Sequence, residues 1–201
     1  MRPVSVISGT MLPLPRANVD TDQIMPKQFL KRVERTGYGE FLFWDWRRNA
    51  GGELDPDFAL NQPRYQDAKV LVAGPNFGSG SSREHAPWGL QDWGFEAVIA
   101  PSLADIFRTN CTKIGLLPIQ LPAAEVSTLT RLATERPATR ILIDLESQTV
   151  EAPGLSATFA MDHFTKWRML HGYDDIGLTL RHLGEIDAFE LTRSRVLPSL
   201  E

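Results

Sequence analysis

Three short apolar segments, separated by patterns typical of helices, constrain the fold of this chain most strongly. They read KVLVAG at 69–74, EAVIA at 96–100 and LLPIQL at 116–121, and each has the length and bounded apolar character of a buried strand. The segment between the last two, SLADIFRTNCTKIG, has helical length, with Ser102 as its expected N-cap and Gly115 as its expected stop. Strands that alternate with helices predict an α/β fold with at least some parallel pairing.

The second half of the chain continues this alternation and then becomes helical. Apolar residues at helical spacing predict a helix over 123–135, and the segment RILIDLESQTVEAP at 140–153 predicts either a strand pair or one long strand. A final helix is predicted over 174–193, where it would cover the domain or meet a partner. Its expected buried stripe consists of Ile176, Leu180, Leu183 and Ile186.

Length and composition predict a single domain. The 201 residues are 42% hydrophobic, which is enough to bury a real core. We expect residues 1–201 to form one domain with a helical extension at about 161–201. Five aromatic residues within 38–46 favour packing in a core or interface over a platform for stacking bases, because no surplus of basic residues accompanies them.

Charge and cysteine content exclude several classes of function. The formal net charge of -4 argues against nucleic acid or an anionic membrane as the main partner, since both attract a surplus of Lys and Arg. Cys111 is the only cysteine, so the chain has no intramolecular disulfide and cannot build a zinc or iron–sulfur site from its own thiols. No signal-like or membrane-length apolar stretch is found, and a cytoplasmic protein is expected.

The stretch GPNFGSGSSREH at 74–85 is the strongest candidate for a site. It follows the first predicted parallel strand, and open α/β sheets place ligands outside the carboxyl ends of their strands. The dinucleotide-binding, P-loop and hydrolase-elbow motifs are all absent from it. The alternative is a flexible Gly/Ser connector, which would have no need of the Arg-Glu-His triplet that follows directly.

The start of the helix after this stretch can be predicted in two ways. Ser81 and Glu84 have the spacing of a capping box, which would direct free backbone N–H groups and the positive end of the helix dipole toward the loop. Pro87, however, lies too deep for a helix capped by Ser81. We therefore favour a later start, after a tight turn through the SSREH segment.

The remaining residues of the stretch are suited to an anionic ligand. Arg83 carries a planar fork that matches a carboxylate, and Gly78 and Gly80 allow close approach of the backbone. His85 by itself is as typical of a packed histidine as of a catalytic one.

Three blocks of the sequence resemble the small swivelling domain of the aconitase superfamily, and the chain as a whole resembles the bacterial-type small subunits of 3-isopropylmalate dehydratase. The blocks are NFGSGSSREHAPWGL at 76–90, NVDTDQIMPKQFLK at 18–31 and SLADIFRTNCTKIGLLPI at 102–119. The resemblance implies an α/β fold, a swivelling β/β/α domain with a mixed, partly parallel sheet flanked by helices.

The resemblance also implies a reaction and assigns roles to residues. Members of this family remove water from a hydroxy-dicarboxylic acid and add it back to the neighbouring carbon, in leucine biosynthesis for the isopropylmalate enzymes. By resemblance Ser81 is the base, Ser82 and Arg83 hold a substrate carboxylate, and Asp22 supports them. A serine is a poor base unless its alkoxide is stabilised, and we expect the helix start and Arg83 to do this.

A second segment, FLKR at 29–32, falls where the family has a loop that reads the variable group of the substrate. Lys31 and Arg32 would bind a carboxylate or remain solvated charges. Leu30 would provide an apolar wall for an isopropyl group.

The family's Lewis acid is a 4Fe–4S cluster held by three cysteines, so the resemblance implies a large partner subunit that carries it. This chain is expected to bind no metal or cofactor itself, with Cys111 as a buried structural residue. Two alternatives remain open at this point. One is the small subunit of a related hydro-lyase acting on homoaconitate, citraconate or a similar acid, and the other is a non-catalytic module that binds a small acid.

Overall fold

A mixed sheet of seven strands forms the centre of the structure, a computed structural model that describes residues 1–31 and 36–193. The strands are β1 (Val6–Leu14), β2 (Val70–Ala73), β3 (Ala97–Ala100), β4 (Leu117–Gln120), β5 (Arg140–Asp144), β6 (Thr149–Ala152) and β7 (Leu155–Thr158). They lie in the order β4-β3-β2-β1-β5-β6-β7. β1 to β4 are parallel, whereas β5, β6 and β7 pair antiparallel from the other edge of β1. The predicted mixed, partly parallel sheet is confirmed, and 140–153 forms the strand pair β5–β6.

Helices connect the parallel strands and then follow the sheet. Within the described residues they are α1 (Thr21–Ile24), α2 (Trp44–Arg47), α3 (His85–Trp93), α4 (Asp105–Ile114), α5 (Ala123–Glu135), α6 (His163–His171), α7 (Asp175–Leu180) and α8 (Leu183–Thr192). Short 3-10 turns occupy Lys27–Phe29, Gly39–Phe41, Ala59–Asn61 and Pro63–Tyr65. α3 and α4 are the crossovers of successive β-α-β units, as the alternating sequence pattern predicts.

The parallel strands are buried on both faces because helices cover each face. In β2, Leu71 and Ala73 join one core with Phe107 and Cys111, whereas Val72 joins a second core on the opposite face. This separation follows from the two-residue period of a strand. Cys111 is fully buried, which confirms its predicted buried position, and this burial raises the pKa of its thiol well above the ordinary value.

The aromatic segment 38–46 packs into the first of these cores. Tyr38 and Phe43 are fully buried, and Phe41 is packed against the same core. Phe41 also stacks on Phe29 with ring centroids 4.2 Å apart. The packing interpretation of these residues is therefore confirmed.

The predicted N-cap of α4 is wrong. The helix begins at Asp105, and Ser102 Oγ instead accepts a hydrogen bond of 2.8 Å from the backbone N–H of Asn76. Ala104 N–H likewise donates to the carbonyl of Phe77 at 3.0 Å. These contacts keep the segment before α4 extended along the 76–77 loop, so it cannot start the helix. The predicted stop at Gly115, which has φ +89°, is confirmed.

The helix predicted over 174–193 is two helices, α7 and α8, separated at Arg181 and His182. The predicted buried stripe is also wrong, because Ile176 is 71% and Leu180 56% exposed in the chain alone. Leu178 is half-buried and lines a shallow surface groove together with Phe164 and Trp167 of α6. Among the described helices, none combines the length and apolar character that crossing a membrane requires.

Candidate active site

Two loops that leave adjacent parallel strands interlock at one edge of the sheet. Residues 18–21 follow β1 and residues 74–82 follow β2. The N–H groups of Gly78 and Ser79 both donate to the carbonyl of Val19, at 2.7 and 3.2 Å, and Thr21 N–H donates to the carbonyl of Ser79 at 2.8 Å. The two loops at the carboxyl ends of these strands are therefore fixed against each other, and they include the stretch at 74–85 that the sequence predicts to be a site.

Two glycines make this interlocking possible. Gly78 has φ +78° and Gly80 has φ +96°, values that favour glycine. A Cβ at Gly78 would overlap the ring of Phe107, and one at Gly80 would lie 3.2 Å from Asp20 Cβ. The sequence predicted that these glycines let the backbone approach a neighbour closely. The neighbours are Phe107 and Asp20 of the same chain, and these contacts hold the loop in place.

Ser81 lies against a residue of the other loop. Its Oγ is 2.8 Å from Thr21 Oγ1, and its backbone N–H donates to the same Thr21 oxygen at 3.2 Å. The Thr21 residue is only 1% exposed, whereas Ser81 is half-buried. The structure therefore brings together two hydroxyl groups that stand 60 positions apart in the sequence.

The capping box predicted from Ser81 and Glu84 does not form. α3 begins at His85, and its N-cap residue, Glu84, has no side-chain capping hydrogen bond. The preferred late start is confirmed, and Pro87 then falls in the first turn, where a missing N–H is tolerated. Ser81 does not lie at the helix terminus, so the expected stabilisation of its oxygen by that terminus is not observed.

Charged side chains next to Ser81 form a small network. Arg83 Nη1 pairs with Asp22 Oδ1, and Lys27 Nζ lies 3.1 Å from Asp22 Oδ2. The Arg83 side chain is 25% exposed. Because one carboxylate is shared by two cations, the network carries one surplus positive charge, which favours an anionic ligand.

A residue of α4 anchors the segment between Ser81 and Arg83. Asn110 Nδ2 donates a hydrogen bond of 3.1 Å to the carbonyl of Ser82. The Asn110 residue is buried, while Ser82 is exposed. The exposed position leaves Ser82 accessible to a ligand at the edge of the domain.

His85 is a packed side chain at the start of α3. Its ring lies 5.3 Å from the ring of Tyr38 and 4.8 Å from that of Trp88, measured between centroids. Burial lowers the pKa of His85, with Glu84 opposing the shift and Arg83 adding to it. The lowered pKa favours the neutral imidazole, which packs against these two rings.

The residues predicted to read the variable group of the substrate differ in their exposure. Leu30 is half-buried and packs against the first core, and Lys31 is exposed. Arg32 lies outside the described residues. Lys27, which precedes this segment and which the sequence did not single out, contacts Asp22.

Several residues of the site escaped prediction from sequence. The composition of NVDTDQIMP indicates a turn, but Asp20 caps α1 in a complete capping box: Asp20 Oδ1 accepts from Gln23 N–H at 2.8 Å, and Gln23 Oε1 accepts from Asp20 N–H at 3.0 Å. The D-x-x-Q spacing was a usable signal for this cap. The contacts of Thr21 and Asn110 have no such local signal, because they join distant segments.

The residues of this chain do not fit an iron–sulfur cluster. Within residues 1–31 and 36–193, no group of three or more His, Cys, Asp or Glu side chains is arranged to hold a metal ion. The single thiol, Cys111, is buried in the core. A cluster held by this family would therefore need ligands from another chain.

Comparisons with known proteins show the family of this chain. The family described as the aconitase C-terminal domain matches residues 1–124, and the family described as the C-terminal domain of the 3-isopropylmalate dehydratase small subunit matches residues 175–200. The 3-isopropylmalate dehydratase small subunit of Rubrobacter xylanophilus is 54% identical over 98% of both chains, and that of Bacillus subtilis is 51% identical over 96% of this chain and 98% of its own. A crystal structure of 3-isopropylmalate dehydratase from Methanocaldococcus jannaschii superimposes with a TM-score of 0.65 at 25% identity, covering 91% of this chain and 99% of that one. The chain therefore belongs to the family of 3-isopropylmalate dehydratase small subunits, within the aconitase superfamily.

Proposed function

We propose that this chain is the small subunit of a 3-isopropylmalate dehydratase, a hydro-lyase that interconverts 2-isopropylmalate and 3-isopropylmalate through 2-isopropylmaleate in leucine biosynthesis. The observation that carries the proposal is the identity of 54% over 98% of both chains with a small subunit of that name. The site supports it because the Ser81 hydroxyl and two cationic side chains that share one carboxylate lie together at one edge of the sheet. These groups suit a dicarboxylate substrate.

Ser81 is the proposed base. Its oxygen takes a proton from a substrate C–H bond, and the electron pair of that bond stays with the substrate. The Thr21 hydroxyl, 2.8 Å from Ser81 Oγ, and Arg83, two residues along the chain, support this role, because hydrogen-bond donors and nearby positive charge favour an alkoxide. In the rehydration half of the reaction the Ser81 hydroxyl gives a proton to the neighbouring carbon, the one that lost the hydroxyl, and becomes an alkoxide again.

Arg83 and Ser82 are the proposed ligands of a substrate carboxylate. The guanidinium is positioned by Asp22, which holds one edge of it by an ion pair. A planar guanidinium can bind a carboxylate through two parallel hydrogen bonds. Leu30 and Lys31 are proposed to contact the variable group of the substrate, and the same proposal extends to Arg32 outside the described residues.

The remaining parts of the active site are proposed to come from a large subunit. It would hold the 4Fe–4S cluster, which supplies a Lewis acid for the departing hydroxyl when bound. The lone buried Cys111 and the absence of a metal-binding group among the described residues support this division. The isolated small subunit is then expected to show neither iron–sulfur absorbance nor dehydration.

Ser81→Ala in the complex reconstituted with the large subunit tests the proposal. We expect turnover of 2-isopropylmalate to fall about 10²- to 10⁴-fold, as for loss of a positioned general base, while assembly and cluster absorbance persist. Ser79→Ala is the matched control, because Ser79 contacts Thr21 through its backbone carbonyl. It should keep turnover within about threefold of the unaltered complex.

Three results would contradict parts of the proposal. Unchanged turnover in Ser81→Ala would remove this residue from the base role. Preferred turnover of homoaconitate or citraconate over isopropylmalate, assayed with the unaltered complex, would overturn the substrate assignment but leave the hydro-lyase chemistry standing. A purified isolated chain with a bound cluster would disprove the division between subunits.

A further inference from the structure

We infer that Thr21 is a positioning residue for Ser81, holding the Ser81 oxygen in place and donating a hydrogen bond to it when that oxygen is an alkoxide. The inference rests on the proposed role of Ser81 as the base. Thr21 takes the stabilising role that the sequence suggested for the start of α3. The structure places that start at His85, beyond Ser81.

The hydrogen-bond geometry around Thr21 Oγ1 carries the argument. The Ser81 backbone N–H donates to this oxygen at 3.2 Å, and Ser81 Oγ lies 2.8 Å from it. A hydroxyl has one proton and two acceptor sites. The Ser81 N–H uses one acceptor site of the Thr21 hydroxyl. The hydroxyl proton and the second acceptor site are then available to Ser81 Oγ.

The charge on Ser81 fixes the direction of this second hydrogen bond. When Ser81 is neutral, either hydroxyl is able to donate to the other. When Ser81 Oγ is an alkoxide it has no proton, so only Thr21 is able to donate. The contact is thus stronger with the charged form of Ser81 than with its neutral form, which favours ionisation.

The surroundings of Thr21 hold its hydroxyl ready for this contact. Thr21 is 1% exposed, so water has little access to compete for the hydroxyl. Its backbone is fixed on both sides, since its N–H donates to Ser79 at 2.8 Å and its carbonyl accepts from Met25 at 2.9 Å. The branched Thr side chain has few rotamers, so the donor needs little rearrangement during the reaction.

The proton balance of the step leaves Thr21 unchanged. Ser81 Oγ receives the proton from the substrate C–H bond and becomes a hydroxyl, while the electron pair of that bond stays with the substrate. Thr21 keeps its own proton throughout. Only the strength of the contact changes, from a charge-assisted hydrogen bond to one between neutral hydroxyls.

Thr21→Val, which keeps the side-chain shape and removes the hydroxyl, tests this inference in the complex with the large subunit. We expect kcat for 2-isopropylmalate to fall about 10- to 100-fold, the effect of losing a hydrogen bond to a charged group. KM should change by less than about threefold, since Thr21 is not proposed to contact the substrate. The rising limb of the kcat–pH profile should move to higher pH, because the alkoxide has lost a donor.

Thr21→Ser is the matched control because it keeps the donor. It should retain the position of the pH limb and a kcat within about threefold of the unaltered complex. The position of the limb does not depend on the fraction of complex assembled, so it reports on ionisation even if Thr21→Val assembles poorly. If Thr21→Val does not assemble, Thr21→Ala removes the hydroxyl without a bulky replacement and is measured in the same way.

The outcomes separate this inference from the proposed function. A normal kcat and pH limb in Thr21→Val, alongside an inactive Ser81→Ala, would overturn the inference and leave Ser81 as the base. Equal losses in Thr21→Val and Thr21→Ser with an unmoved limb would also overturn it, because they would show a purely structural role. Activity in Ser81→Ala would instead contradict the proposed function itself.

Discussion

The interlocked loops of the site are more deeply buried than the C-terminal helices α7 and α8, although irregular loops are usually the more exposed part of a protein. The loops are irregular, yet Val19 and Phe77 within them are fully buried and their backbones are joined by several hydrogen bonds. α7 and α8 are regular helices, yet they contain no buried residue. Burial and long-range hydrogen bonds, more than regular backbone geometry, therefore decide which part of this chain is most firmly held.

The contacts at the start of α7 illustrate the contrast. The carboxylate of Asp174 lies 3.4 Å from the amino group of Met1, and Asp175 lies 3.1 Å from Arg168 and 3.7 Å from Lys113. Ion pairs with exposed partners contribute little to stability. In the isolated chain, α7 is thus attached by polar contacts at its start, by Leu178 beside α6 and by Arg181 over the Trp167 ring, while most apolar side chains of α7 and α8 remain exposed.

The largest loss of stability is expected when an aromatic ring beneath the site is removed. Phe107 is 1% exposed and contacts Phe77 edge to face, with ring centroids 5.4 Å apart. Phe107→Ala should lower the free energy of unfolding by about 4 kcal/mol, because it removes a buried ring and leaves a cavity. Urea denaturation of the isolated chain measures this.

Phe189→Ala is the matched control, because this ring in α8 is 63% exposed. It should change the free energy of unfolding by less than about 0.5 kcal/mol. A loss of similar size from both variants would show that α8 is as firmly packed as the loops in the isolated chain, and the comparison would fail.

A smaller but more local effect is expected at Gly78. An added methyl group would meet the Phe107 ring and would also occupy a left-handed backbone conformation, with φ +78°. Gly78→Ala should therefore lower the free energy of unfolding by about 3 kcal/mol, from overpacking and backbone strain together. The same methyl group at Gly184 in α8 would meet no atom within 4 Å, so Gly184→Ala should be close to neutral in the same denaturation experiment. Gly78→Ala with unchanged stability would mean that Phe107 yields easily and that the loop is less constrained than its contacts indicate.

The sequence predicted those features of the fold that depend on local chemistry. Continuous apolar runs identified the central strands, Gly115 identified the end of α4, and Pro87 correctly favoured a late start for α3. Each of these depends on the residue itself or on its near neighbours. The predicted identity of the loop at 74–85 as part of a site also depended on local composition and on its place after a strand.

The features that escaped prediction depend on residues far apart in the chain. Ser102 was expected to cap α4, but it contacts Asn76, and Thr21 contacts Ser81 across 60 positions. The predicted burial of the apolar stripe on α7 and α8 failed for a different reason. Apolar residues at helical spacing indicate a face suited to burial, but none of the residues in 1–31 and 36–193 covers this face.

The smallest effect concerns two aspartates with the same capping role on helices that differ in burial. Asp162 caps α6 by accepting from Thr165 N–H at 2.9 Å, and Asp174 caps α7 by accepting from Gly177 N–H at 2.7 Å. α6 contributes the fully buried Met169 to the core, so Asp162→Ala should lower the global free energy of unfolding by about 1 kcal/mol. Asp174→Ala should leave it unchanged and increase hydrogen exchange only within α7.

The pH dependence of Asp162 provides the test that distinguishes its charge from its capping role. Hydrogen bonds from Thr165 lower the pKa of Asp162 below its ordinary value of 3.8. A carboxylate with a lowered folded-state pKa contributes stability above its unfolded pKa and loses that contribution as the pH falls through the folded value. Asp162→Asn keeps a capping oxygen but cannot titrate, so its stability relative to the unaltered chain should improve as the pH falls from about 5 to 2. A constant difference between the two proteins over this range, measured by urea denaturation, would show that the charge of Asp162 adds nothing to its cap.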